Sequence, residues 1–237
     1  MAKKSILQLN PNHVLVVDDE VDNLEFLKTL LQNHGYIAHS FLNAMDAVAF
    51  LNFTDKAINL ILADIRMPSM DGNEFLPEVK KMPKYASTPF LFLSAINDRK
   101  VILDAYRAGA VDYITKPIDN EVFLAKIDAL IQNFTMSEIK NNIILEGSES
   151  NLSIEEMITF CEQEKLNGFT FVQHEHLEGV FTFENGVLND IQCDELADAE
   201  AFEKIRSWKK YSIFIVRGVF YPKTMTKYVQ ARLMSPI

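Results

Sequence analysis

The chain has 237 residues, 48% hydrophobic and 24% charged, with 33 Asp and Glu against 23 Lys and Arg for a formal net charge of −10. That composition excludes a disordered chain and supplies apolar material for two cores of ordinary size. Residues 1–137 carry 13 basic and 17 acidic side chains, and residues 138–237 carry 10 and 16, so neither half has the basic surface of a nucleic-acid binder.

From His13 onward, short apolar runs alternate with amphipathic segments, the pattern of a parallel sheet wrapped by helices. Strands are predicted at Val14–Val17, Tyr36–Ser40, Leu60–Ala63, Phe90–Leu93 and Asp112–Ile114. Continuous hydrophobicity in the first, third and fourth requires that both faces be covered, as in central parallel strands. Helices are predicted at 22–33, 43–52, 73–82, 98–108 and 120–132; in the first, Leu24, Leu27, Leu30 and Leu31 share one face and Gly35 follows its end. The sum is an α/β domain over residues 1–132, built on a five-stranded parallel, doubly wound (flavodoxin-like) sheet.

After Asn133 this rhythm stops. Residues 133–140 read as a linker and 141–237 as a smaller α+β domain. Asn141-Asn142 and Gly147–Ser150 place loop chemistry on either side of a short apolar run. Ser153-Ile-Glu-Glu156 is a capping box, after which Ile154, Met157, Ile158 and Cys161 repeat at helical spacing. Apolar segments at Phe169–Val172 and Val180–Phe183, with Asn185-Gly186 between Phe183 and Val187, predict an antiparallel meander. A helix over Ala197–Trp208, a strand over Tyr211–Val216 and an amphipathic stretch at Met225–Met234 complete it.

Several features have plain structural readings. Cys161 and Cys193 lack metal or CxxC spacing and read as reduced core residues. His174-Glu-His176 has no third ligand at metal spacing and reads as a turn or surface strand. Trp208 reads as core or half-buried. Apolar runs such as Val14–Val17 and Pro89–Leu93 fall far short of the roughly 20 residues that span a bilayer, and Gln8, Asn10 and Asn12 interrupt any leader core after Lys3 and Lys4. No membrane span and a cytoplasmic location are expected.

The strand carboxyl ends of such a sheet form the crevice where ligands bind. Asp18 and Asp19 follow the first predicted strand, Asp64 the third, Ser94 the fourth, and Lys116-Pro117 the fifth. Three carboxylates converging there would repel one another, whereas a hard divalent ion such as Mg²⁺ makes the cluster favourable. With the Ser94 hydroxyl and the Lys116 ammonium, the rim has the parts to hold a metal and a phosphoryl group: Asp64 to attack phosphorus, Lys116 to offset charge, Ser94 to donate to a phosphoryl oxygen.

Val14-Leu-Val-Val-Asp-Asp-Glu20, Asp64-Ile-Arg-Met-Pro-Ser-Met-Asp-Gly72, Ser94-Ala95 and Lys116-Pro117 resemble the receiver domain of two-component response regulators, over residues 13–132. The resemblance implies that Asp64 is the phosphoacceptor, that Asp19 ligates Mg²⁺ directly together with Asp64, that Asp18 acts mainly through water, and that the Arg66 carbonyl completes the protein ligands. It also implies that Tyr113 is the aromatic switch residue and that a sensor histidine kinase or phosphotransfer protein is the donor. When Tyr113 rotates, the fourth and fifth helices are expected to present a changed face that sets either homodimerisation or the placement of the second domain.

The second half is similar to the PATAN domain, found beside receivers, through Leu145-Glu-Gly147, Leu152-Ser-Ile-Glu-Glu156, Gly168, Phe181-Thr-Phe-Glu-Asn-Gly186 and Ala201-Phe202 with Trp208. Phe169, Phe171 and Asn189-Asp190 depart from that pattern. The similarity implies a non-catalytic module acting on an output protein that the sequence leaves unidentified. A DNA-binding output is the alternative, opposed by the net charge of −6 over 138–237 and the lack of a basic recognition helix. An enzymatic output lacks a phosphate loop, a second carboxylate cluster or a nucleophile-base pair after residue 133.

Overall fold

In the computed structural model, residues 12–95, 99–218, Met225, Tyr228 and Val229 are described. The chain divides into two compact units, with the division between Phe134 and Thr135.

The first unit alternates β1 (His13–Val17), α1 (Val21–Asn33), β2 (Ile37–Phe41), α2 (Ala44–Phe53), β3 (Ile58–Ala63), α3 (Gly72–Lys80), β4 (Phe90–Ser94), α4 (Arg99–Arg107), β5 (Asp112–Thr115) and the start of α5 (Asn120–Asn142). The five strands are all parallel in the order β2-β1-β3-β4-β5. This is the α/β sheet the periodicity predicts, and successive side chains show why the strands read as continuously apolar. Val14 and Val16 pack with Leu24, Leu27 and Leu31 of α1 and Phe123, Ile127 and Ile131 of α5; Leu15 and Val17 pack on the other face with Ala47 and Leu51 of α2 and Phe75, Leu76 and Val79 of α3.

One side-chain tie between β1 and β2 makes the stability of this unit depend on pH. His13 on β1 and His39 on β2 share a hydrogen bond between Nδ1 and Nε2 at 2.8 Å. Burial, then the neighbouring His39, then Lys56 push His13 below its ordinary 6.5, and burial and Lys56 do the same to His39. The folded form therefore takes up protons less readily than the unfolded chain, so this contribution is present above about pH 6.5 and is lost as pH falls. Urea unfolding of the first unit should give a lower midpoint at about pH 5.5 than at about pH 7.5, and the gap should narrow in His39→Leu. A gap unaltered by that substitution would assign the pH effect elsewhere.

Residues 133–140, expected as a linker, are helical: α5 continues to Asn142. Ile127, Ile131, Thr135 and Ile139 are all buried at intervals of four, so one stripe serves the first unit's core through Ile131 and the second's through Ile139. Asn133, Thr135 and Ser137 mask that stripe in the sequence.

The second unit contains β6 (Ile143–Ser148), α6 (Ile154–Gln163), β7 (Gly168–His174), β8 (Leu177–Glu184), β9 (Val187–Cys193), β10 (Leu196–Ala197), α7 (Asp198–Arg206) and β11 (Ser212–Arg217). They form a six-stranded antiparallel sheet in the order β10-β9-β8-β7-β11-β6. Ser153 caps α6 by accepting from the Glu156 N–H, while Glu156 accepts from the Ser153 N–H. Asn185 and Gly186 both have positive φ, 51° and 81°, as a two-residue turn of type I′ between β8 and β9 requires. The apolar run after Asn142 is β6, paired with β11, and β10 is a two-residue edge that carries no sequence signal of its own.

One face of this sheet packs under α6 and α7, through Met157, Cys161, Ala201, Ile205 and Trp208; the other carries Phe169, Phe171, Phe214 and Val216 against Ile139, Met225 and Val229. Cys161 and Cys193 are buried and unpaired as expected. Trp208 is buried, with the His174 ring stacked on it at 5.2 Å. His174 ends β7 and donates from Nδ1 to the Lys210 carbonyl, and Glu175 turns the chain at φ 53°, so His174 closes a strand and His176 lies in the turn after it. Of the predicted stretch Met225–Met234, only Met225, Tyr228 and Val229 are described, and these are helical; the rest lies outside the described residues. No described helix is long and apolar enough to cross a membrane.

Candidate functional site

The predicted rim residues lie at or just beyond the carboxyl ends of β1, β3, β4 and β5, and main-chain bonds place them. The Asp64 N–H donates to the Val17 carbonyl at 2.9 Å, joining the residue after β3 to the end of β1. The Asp18 N–H reaches the Phe41 carbonyl of β2 at 3.2 Å, and the Lys116 N–H reaches the Ser94 carbonyl of β4 at 3.0 Å. Asp18 is 1% exposed and Asp64 9%. Each carboxylate is held by one N–H two residues on: Glu20 to Asp18 Oδ1 at 3.0 Å, Arg66 to Asp64 Oδ1 at 3.2 Å.

The free oxygens of the two carboxylates converge on one cation. Lys116 Nζ lies 2.6 Å from Asp18 Oδ2 and 2.7 Å from Asp64 Oδ2. Burial works against the ammonium, but its bonds to Asp18 and Asp64 outweigh that and hold it above the usual lysine range. At ordinary pH the ammonium is a fixed positive charge facing Asp64.

Asp19, the next residue along, is exposed and lines a cleft of about 540 Å³ with Leu42, Asn43, Met45, Asp46, Pro68 and Ser69, while Asp18 and Asp64 are the pair that meets on Lys116. Among the described residues no three His, Cys, Asp or Glu side chains are gathered as a metal centre; the ammonium stands between the two that meet. The donor set nevertheless fits a hard divalent ion. Asp18 Oδ2 and Asp64 Oδ2 already point at one position, all donors are oxygens, and Mg²⁺ keeps several waters and needs few protein ligands.

Tyr113 is 8% exposed and its hydroxyl is hydrogen-bonded to that of Ser94. Burial pushes its phenol up, the Ser94 bond opposes this, and the Asp64 charge adds to it. The ring is thus already turned in toward the site.

Two further features carry site geometry. A Cβ on Gly72 would lie 2.5 Å from the Asp64 carbonyl oxygen and 2.6 Å from the Phe92 ring, so only glycine lets α3 begin against the Asp64 backbone. The signal was present: Asp71 and Glu74 form a capping box around Gly72, fixing the helix start there. A cleft of about 430 Å³ beside Lys116, lined by Asn23, Phe26, Leu27, Pro117 and Ile118, joins α1 to the segment after β5. No local pattern announces it, because its walls come from distant segments.

The response regulator receiver domain family matches residues 14–128. A 14.6 kDa protein of Leptolyngbya boryana, encoded in the sodA1 3′ region, is 35% identical over 106 residues, 45% of this chain and 79% of that one. The transcriptional regulatory protein ZraR of Klebsiella oxytoca is 33% identical over 128 residues, 53% of this chain and 27% of that protein, so the chain spans less than a third of that relative's length. A solved receiver domain protein (CheY-like) from Methanospirillum hungatei aligns with a TM-score of 0.50 at 25% identity, covering 54% of this chain and 99% of that one.

Proposed function

Because residues 14–128 of this chain belong to the response regulator receiver family, we propose that it is a phospho-switched adaptor: Asp64 accepts a phosphoryl group, and residues 141–237 change their protein contacts in response. The observation that carries this reading is the pairing of a nearly buried Asp64 carboxylate with a fixed ammonium, Lys116, at the mouth of the sheet beside Ser94. In the reaction an Asp64 oxygen attacks the phosphorus of a phosphohistidine or acyl phosphate, the bond to the leaving group breaks, and an aspartyl phosphate results. Lys116 neutralises charge on the transferred group and Ser94 donates to one of its oxygens. Mg²⁺, held by Asp18, Asp19, Asp64 and the Arg66 carbonyl, would supply further charge neutralisation at the phosphoryl oxygens.

The donor is a sensor histidine kinase or a phosphotransfer protein, for which the apolar cleft at Phe26 and Leu27 offers a surface next to Lys116. On the output side, exposed Leu103 and Tyr106 on α4, Val111 just before β5 and Val122 on α5 mark a face for self-association. The second unit is read as a PATAN-type contact module in the cytoplasm, with no catalysis beyond the receiver's own phosphorylation and dephosphorylation. A transcriptional role, suggested by the name of ZraR, draws nothing from that match beyond the receiver portion, and residues 138–237 carry a net charge of −6. Sequence-specific DNA retention at physiological salt would favour it over the adaptor reading.

The test is light scattering and partner capture with and without beryllofluoride, a phosphoryl mimic. Wild-type protein should change its association or capture; Tyr113→Ala should bind the mimic at Asp64 and show a blunted change. A Tyr113→Ala protein that responds as fully as wild type would mean that the signal leaves by another route.

A further inference from the structure

Asp112 opens β5, one residue before Tyr113, and its carboxylate is fastened three ways. Oδ1 accepts from the Tyr113 N–H at 2.7 Å and from the Tyr106 hydroxyl at 3.0 Å, and Oδ2 accepts from the Lys126 ammonium at 2.8 Å. Tyr106 lies in the last turn of α4 and Lys126 in α5. One side chain therefore joins both helices to the main chain of the residue whose hydroxyl meets Ser94. Packing alone holds α4 lightly: of its nine residues Ala105 is the buried one, with Val101 and Ile102 partly covered by the core.

We propose that Asp112 is a coupling residue, through which the placement of Tyr113 beside Ser94 sets the position of α4. The inference rests on the phosphoacceptor reading of Asp64 and adds the route by which that site reaches the helix surface. The shared oxygen is what makes the link mechanical: movement of the Tyr113 backbone moves the acceptor on which Tyr106 depends. Charge strengthens it, because bonds to an ionised acceptor are shorter and stronger than neutral ones. Burial works against the charge on Asp112, but Lys126, the Tyr113 N–H and the Tyr106 hydroxyl outweigh it and hold the carboxyl below its usual range. The tie is present in the arrangement where Tyr113 is turned in, so breaking it removes support from that arrangement.

Tyr106→Phe deletes one hydroxyl and keeps the ring. Full-length wild type and variant are titrated with beryllofluoride in Mg²⁺ buffer while hydrogen exchange along α4 is followed. Wild type should bind one equivalent and gain protection in α4. Tyr106→Phe should still bind one equivalent, with half-saturation raised about 5- to 10-fold, the scale of one lost hydrogen bond, and with most of the α4 protection gone. Arg107→Gln, which breaks a pair with Asp104 inside α4 alone, should match wild type. Unchanged half-saturation and protection in Tyr106→Phe would overturn the coupling role. So would an equal effect from Arg107→Gln, since the loss would then belong to helix stability, or a wild type that binds the mimic with no change in α4. Failure of the wild type to bind beryllofluoride at all would instead remove the phosphoacceptor reading, and this inference with it.

Discussion

Asp64→Asn protein should take up no phosphate from acetyl phosphate in Mg²⁺ buffer, whereas wild type should take up one phosphoryl group per chain. The amide nearly preserves the shape of the carboxylate and can still accept from the Arg66 N–H, so the fold is kept. What is lost is the nucleophile: an amide oxygen is a far poorer attacker of phosphorus, and labelling should fall at least about 100-fold, to background. Equal stoichiometry in the variant would place the acceptor elsewhere. Lys116→Ala tests the other half of the pair. Without the ammonium, Asp18 and Asp64 face each other with no counter-charge, and breaking a buried pair on one side costs about 3–5 kcal/mol. The first unit should be destabilised by somewhat less, about 2–3 kcal/mol, because the Lys116 side chain is 19% exposed. Added Mg²⁺ should restore part of that, and an unaltered urea midpoint would show that the ammonium is dispensable to the resting site.

Gly168→Ala should unfold or severely destabilise the second unit while leaving the first intact. A Cβ at this position would sit 2.1 Å from the Val216 carbonyl oxygen, 2.9 Å from Arg217 Cα and 3.1 Å from the Gly218 nitrogen, all of them backbone. No side chain can rotate away to relieve the contact. Strand β11 would have to separate from β7, and that pairing runs in register from Gly168↔Arg217 to Gln173↔Ser212. A loss of about 3 kcal/mol or more follows from overpacking against immovable atoms. Trp208, the only tryptophan and buried in that unit, reports it by fluorescence during urea unfolding, and phosphoryl uptake at Asp64 reports the first unit separately. A Trp208 transition at the wild-type midpoint would refute the argument.

The parts of the fold that depend on local physics are legible in the residues themselves. Strand and helix periods placed β1, β3, β4 and β5, and the rule that ligands gather at parallel strand ends then selected Asp18, Asp19, Asp64, Ser94 and Lys116. Ser153 with Glu156, and Asn185 with Gly186, announced a helix start and a hairpin because a cap and a type I′ turn each demand particular side chains over a few residues. Pairings between distant segments become definite only in the folded molecule. That β11 lies between β7 and β6 follows from which apolar faces meet, and strands as alike as Phe169–Val172 and Ile213–Val216 do not encode a neighbour locally. The continuation of α5 through Thr135 needed a second core to bury Ile139, without which its polar residues read as loop. At the site, the meeting of Asp18 with Asp64 on Lys116, the exposure of Asp19, and the tie from Asp112 to Tyr106 and Lys126 are set by side-chain directions across the sheet, and those directions become definite only when the helices have packed.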